Sequence, residues 1–304
     1  MSDLITDVKN LEIETLKNLK NSKAHNTLRA YQADFKDFSA FCVKNGLNSL
    51  PTEPKIVAIY LTHLSSFSKY STLKRRLASI NVIHKLKGHY IDTKHPIIAE
   101  NLMGIKRRMG VKQTAKKPLL INDLKSLINV IDEEKNEYKK HQNRALILIG
   151  FAGGFRRSEL VSIEYEDLDF VKEGVKIIVK RSKTDQTGEG MIKAIPYFDN
   201  KIYCPVLSLK NWIDFSNIQS GLVFKISDKT VALTIKKYAL IAGLDKTKYA
   251  GHSLRSGFAT STAEIGADER SIMAMTGHKT TQMVRRYIKE SNLFKNNALN
   301  KIKI

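Results

Sequence analysis

The stretch TGHKTTQMVRRYI, residues 276–288, sets a tyrosine among charges. Arg285 and Arg286 precede Tyr287, and Lys289 follows one residue later. Tyr287 lies at helical spacing from Met283 and Val284, the pattern of a core residue. In so basic a neighbourhood the alternatives are that it packs or that its phenolic hydroxyl meets an anion. Upstream, Gly277 marks a helix end, so the stretch reads as a short helix, a stop and a second short helix.

Working outward, composition narrows the partner. The chain has 304 residues, enough for two domains of ordinary size. Apolar residues make up 42%, which supports a sizeable core and argues against global disorder. Lys and Arg total 51 against 30 acids, a formal net charge of +21. Such an excess repels itself in a compact state unless a polyanion meets it. Nucleic acid is the first expectation and an anionic membrane surface the second. Cys42 and Cys204 stand alone, with no Cys/His cluster at zinc-ligand spacing, so neither a disulfide framework nor a metal site is expected. The opening residues lack a secretory signal pattern, and ALILIGFAGGF (145–155) is too short to span a bilayer. The expected location is cytoplasmic, on the nucleoid.

The chain divides by pattern. An extension covers 1–19. From residue 20, Leu28, Tyr31, Phe35, Phe38 and Cys42 share one helical face, and Gly46 ends it. A second helix is expected after a Thr52 cap, with Pro54 in its first turn. A third runs from a Ser71 cap to Gly88, with Leu73, Leu77, Ile80 and His84 inward and Lys74, Arg75 and Arg76 outward. HPIIAENLMGIKRRMG completes a helical domain over 20–110. Residues 111–117 form a basic linker, continuous with Lys106, Arg107 and Arg108; it reads either as a solvated connection or as a strap along phosphates. A second domain, 118–295, is mainly α with a β-hairpin over 174–198, and a tail follows at 296–304.

Four pieces of the second domain offer cationic or acid–base groups. In GGFRRSEL, Arg156 sits at the turn out of a buried helix, with Glu159 three residues on. Lys183 lies at the mouth of the hairpin turn, where a solvated lysine is the ordinary reading. In GHSLRSG, His252 and Arg255 are i, i+3 at a helix start, a place that favours an anion. His278 follows Gly277, and Tyr287 comes nine residues after it.

GFRRSEL, RSKTDQ, GHSLRSGFAT, TGHKTT and Tyr287, in that order over about 130 residues, resemble the signature of the tyrosine recombinase (phage integrase) family. TLRAYQADFKDFSAFC and STLKRRLASI resemble its core-binding domain, so nearly the whole chain is covered. The resemblance implies an all-helical, SAM-like core-binding domain followed by an α+β catalytic domain, in a simple two-domain arrangement like that of Xer and Cre. It implies strand cleavage and rejoining through a 3′-phosphotyrosine and a Holliday junction, with neither metal nor ATP. Tyr287 would be the nucleophile, Arg156 and Arg255 the phosphate clamp, and His252 the base or proton relay. His278 would be a further donor to the phosphate, Lys183 the acid for the leaving oxygen, and Glu159 a support. Lys74, Arg75, Arg76, Lys106, Arg107 and Arg108 would meet the duplex.

The implied partner is double-stranded DNA with inverted-repeat half-sites, bound by a homotetramer across two sites; the free protein would be a monomer or weak dimer. About twenty residues before the first strong helix are too few for an arm-binding domain. The tail SNLFKNNALNKIKI carries apolar residues that would dock in cis or in trans. A type IB topoisomerase, which uses a related residue set, and a non-catalytic DNA-binding protein of the same fold are the alternatives.

Overall fold

The computed structural model describes residues 25–110, 116–180, 190–278 and 280–291, with Asn10, Leu11, Glu14, Asn18 and Ile302. The chain divides into two compact units, Met1–Thr114 and Ala115–Ile304. It is mainly helical, with one three-stranded sheet.

In the first unit, α1 (His25–Lys44), α2 (Pro54–Leu64), α3 (Tyr70–Leu86) and α4 (Pro96–Met109) surround one core. Phe38, Cys42, Tyr60, Leu61, Leu73, Ile80 and Ile98 are buried in it. Pro54 and Pro96 occupy first-turn positions, where their missing N–H costs nothing. Two expected caps are corrected. Glu53 and Lys69 hold the N-cap positions of α2 and α3, and neither side chain caps. The Thr52 backbone instead donates to His84 Nε2 at 3.2 Å, and His84 Nδ1 bonds the Ile80 carbonyl at 2.8 Å. Ser71 lies inside α3. The long-range demand of a buried imidazole outweighs local cap preference here, because His84 is fully buried and needs both partners.

Asp34, on the inner face of α1, is also buried. It accepts from Arg75 at 2.6 Å and from Ser79 Oγ at 2.8 Å, joining α1 to α3.

The second unit is built on α6 (Glu137–Ala152), whose last eight residues, 145–152, are all buried. The Asn136 side chain caps it by accepting from the Lys139 N–H. α5 (Ile121–Asp132) contributes Leu124, Leu127, Ile128 and Ile131 to the core. α7 (Arg157–Val161) is a short turn of helix after the Gly153–Gly154 corner. Strands β1 (Leu168–Val171), β2 (Gly174–Val179) and β3 (Met191–Pro196) form an antiparallel sheet in that order. β2 and β3 are the expected hairpin; β1 was not expected.

Helices α8 (Pro205–Ser216), α9 (Asp228–Ile241), α10 (His252–Glu264), α11 (Glu269–Thr276) and α12 (Thr281–Ser291) complete the unit. α12 packs against α10 and α11. The end of the basic stretch belongs to this unit: Lys117 N–H donates to the Lys248 carbonyl, and Leu119 N–H to the Ser253 carbonyl. α10 comes so close to that segment that a Cβ at Gly257 would lie 2.0 Å from the Leu119 carbonyl oxygen. Among the described residues no helix is long and apolar enough to cross a membrane.

Candidate active site

The buried end of α6 delivers the first cation. After Gly153 and Gly154 the chain turns through the buried Phe155, and Arg156 occupies the N-cap position of α7. Glu159 is 2% exposed, so it is no surface glutamate. Its carboxylate accepts from the Arg156 backbone N–H at 2.9 Å and also pairs with the Arg156 guanidinium. One acid therefore caps the helix and aims the arginine.

The second cation comes from α10. Arg255 is 1% exposed, and its Nη1 donates to the Gly154 carbonyl at 2.9 Å. Its buried Nη2 has no hydrogen-bond partner among the described residues. Burial, and then Arg156, push its pKa down to about 10, while Glu159 and Tyr287 pull the other way. The group stays charged at neutral pH. A buried guanidinium with an idle donor is costly, and an anion at that position would remove the cost. His252, the first residue of α10, is exposed on the same end of the helix.

The third piece is the turn between α11 and α12. Gly277, at φ 62°, takes the left-handed conformation that ends α11. His278 follows, and its Nδ1 lies 2.7 Å from Thr276 Oγ1. That hydroxyl also bonds the Ile272 carbonyl at 2.6 Å. A carbonyl can only accept, so the single Thr276 proton goes to it. The hydroxyl must then accept from His278, which assigns the ring proton to Nδ1 and leaves a lone pair on Nε2. Burial, followed by Arg255, Arg156, His252 and Lys193, lowers the His278 pKa to about 4, so the ring is neutral at physiological pH.

Tyr287 faces this turn. Its ring centroid is 6.1 Å from that of His278, and its oxygen is felt electrostatically by Arg255. The ring also packs against the small cluster of Ala259, Ala263, Ile272 and Val284. The ring packs, as its helical spacing suggested, and the Tyr287 oxygen lies in the electrostatic range of Arg255.

Of the expected site residues, Arg156, Glu159, Arg255, His278 and Tyr287 are linked by these contacts and fields, and His252 adjoins them through its charge on His278. Lys183 lies outside the described residues. Arg157 pairs with Asp228 at 3.6 Å and lies against Gly251. In the first unit Lys74, Lys106 and Arg107 are exposed, whereas Arg75 is bound to Asp34. Arg76 is turned inward onto Asp37 and the Tyr60 hydroxyl, and Arg108 donates to Ser65 Oγ. Two contributors were not singled out from the sequence: Thr276, which fixes the His278 tautomer, and Lys193, which is fully buried on β3. Among the described residues no group of three His, Cys, Asp or Glu side chains is arranged to hold a metal.

The family model described as phage integrase matches residues 117–293, more than half of the chain and all of the site. The chain belongs to the phage integrase family. It is a site-specific recombinase of the tyrosine class. It is 41% identical over 96% of its length to an integrase/recombinase xerD homolog of Selenomonas ruminantium, 89% of which is covered. It is 25% identical over 92% of its length to the tyrosine recombinase XerC of Staphylococcus aureus, with 91% of that chain covered. Among solved structures, the recombinase resembles the XerH site-specific recombinase bound to palindromic difH substrate with a TM-score of 0.62 at 18% identity, covering 81% of this chain and 73% of that one. A lambda integrase dimer bound to a core site gives a TM-score of 0.60 at 19% identity, with 93% of each chain covered.

Proposed function

We propose that the recombinase cleaves and rejoins double-stranded DNA through a 3′-phosphotyrosine on Tyr287. The observation that carries this reading is the buried Arg255 guanidinium with its idle Nη2, in the electrostatic range of both Arg156 and Tyr287. A phosphodiester placed there would accept from two arginines as charge builds on its non-bridging oxygens.

The proton balance needs a base for the phenol and an acid for the leaving oxygen. The Tyr287 oxygen attacks phosphorus, and the bond from phosphorus to the 5′-oxygen breaks. The phenol, with an ordinary pKa near 10, must lose its proton to a base. His252, exposed at the start of α10, is the base or relay that takes it. His278 keeps its role as a donor to the phosphate: an anion in the site would raise its pKa, and the protonated ring would donate from Nε2. The leaving 5′-oxygen needs a proton, and the family resemblance implies Lys183 as its donor. A 5′-hydroxyl from a second strand then attacks the phosphotyrosine, releasing Tyr287 and giving a Holliday junction after the first pair of exchanges. Four protomers on two sites, each with inverted half-sites, satisfy that stoichiometry. DNA-bound structures among the similar folds support the partner.

The test is a nicked suicide substrate carrying a cognate site. The wild type should accumulate a covalent adduct, and Tyr287→Phe should bind the same DNA without forming one. Adduct formation by the Phe variant would remove Tyr287 as nucleophile. Efficient relaxation of a supercoiled plasmid without a site would favour a topoisomerase.

A further inference from the structure

Lys193 is fully buried, on an inward-facing position of β3 opposite Ile177. Among the described residues no carboxylate is bonded to it. Its Nζ donates to the Gly153 carbonyl at 2.6 Å and to the Met275 carbonyl. It also lies 4.5 Å from the centre of the Phe155 ring. These anchor points are far apart in sequence but close to the chemistry. Gly153 begins the turn that presents Arg156, and its neighbour Gly154 holds Arg255 by its own carbonyl. Met275 is in the last turn of α11, three residues before His278. One ammonium therefore ties the arginine corner to the histidine turn.

From this geometry we infer that Lys193 is a positioning residue for strand cleavage: its Nζ clamps the Gly153 and Met275 carbonyls and so fixes the distance between the Arg156–Arg255 pair and His278. The inference rests on the recombinase reading above and deepens it. Alternatives fit less well. A surface contact with DNA is excluded by full burial, and an inert core filler would be a Leu or Met, which needs no donors. Two carbonyls and a ring face together use an ammonium's capacity as hydrophobic side chains cannot. The clamp does not require the charge, since a neutral amine keeps two N–H donors. Burial lowers the Lys193 pKa to about 7, with Glu159 opposing and Arg255 and Arg156 adding to the effect.

The test uses the full chain. Lys193→Met keeps the length and removes the donors; Lys193→Gln restores one amide group that can donate. DNA affinity should stay within about twofold for both. Adduct formation on the nicked substrate should fall about 100-fold in Lys193→Met, the cost expected for a displacement of about 1 Å, with partial recovery in Lys193→Gln. A substrate whose bridging 5′-oxygen is replaced by sulfur separates positioning from proton donation, because a thiolate leaves without a proton. Persistence of the defect on this substrate supports the clamp; full rescue would make Lys193 an acid and overturn it. Near-wild-type cleavage by Lys193→Met would overturn it as well. If the Met variant lacks a cooperative melt, Lys193→Gln carries the same comparison. One readout needs no catalysis: the His278 imidazole resonances should shift in Lys193→Gln while those of His84, in the other unit, stay fixed. Unmoved His278 resonances would contradict the clamp. Absence of an adduct in the wild type would instead remove the recombinase reading and leave the resonance arm to decide on Lys193.

Discussion

Of the two arginines of the site, Arg255 is the more deeply buried. Its position at 1% exposure, one nitrogen bonded and one idle, makes it a preorganised donor whose cost is met during folding. Arg255→Ala should lower adduct formation by about 10²–10³-fold, read as single-turnover cleavage, with DNA affinity much less affected. A rate within a few fold of wild type would show that the phosphate sits elsewhere. His278 makes a prediction about pH. Its folded pKa is about 4 against an ordinary 6.5, so between these values the unfolded chain binds a proton that the native state refuses. Stability should therefore fall as pH drops from about 6.5 toward 4. His278→Gln should flatten that limb of the melting-temperature profile; His84, whose pKa burial also lowers, would leave a residual slope. An unchanged acid limb would mean that His278 titrates normally.

At the scale of elements, the site depends on how α10 is seated. Gly257 faces the Leu119 carbonyl, and a Cβ there would lie 2.0 Å from it, against backbone that cannot move aside cheaply. Gly257→Val should push α10 outward, costing about 2–4 kcal/mol in denaturant unfolding and carrying His252 and Arg255 out of register. Full stability in that variant would mean the segment 117–119 yields easily. How far such features could be read from sequence varies with range. The period of α1, the glycine stops and the β2–β3 hairpin are local, and they were legible. Thr52 lies one residue before the N-cap Glu53, and a buried histidine 32 residues away claims its N–H; Ser71 falls inside α3 because that helix already starts at Tyr70. β1 is only four residues long, too short for alternation to stand out.

The site itself was legible as an ordered motif set. What the motifs did not carry was the support. Glu159 could be weighed only against a surface role, and Thr276 acts through a hydroxyl whose partner depends on the turn at Gly277. Lys193 had one available signal. It shares strand parity with Ile195, and in the observed register that parity faces inward with Val175 and Ile177. A lysine on the apolar side of a strand marks a buried cation, and hence a set of acceptors to be found.

For the whole molecule, the charge of +21 is spread over two units that answer differently to mutation. Arg75 and Arg76 bind Asp34 and Asp37 within the first unit, so replacing them would weaken α1–α3 packing as well as any contact with DNA. Lys74, Lys106 and Arg107 are exposed and give the cleaner test. If all three meet phosphates, replacing them with alanine should lower the slope of log K against log salt by about 2.7, at about 0.9 per contact, without changing the melting temperature. An unchanged slope would place the duplex on another face.

The proposed strand cleavage depends most on the identity of one oxygen. Wild-type protein trapped on a nicked cognate substrate, digested with trypsin and mapped by mass spectrometry, should carry its nucleotide remnant on Tyr287, joined through a 3′-phosphate. A remnant on any other residue, or a trapped complex with no covalent bond, would contradict it.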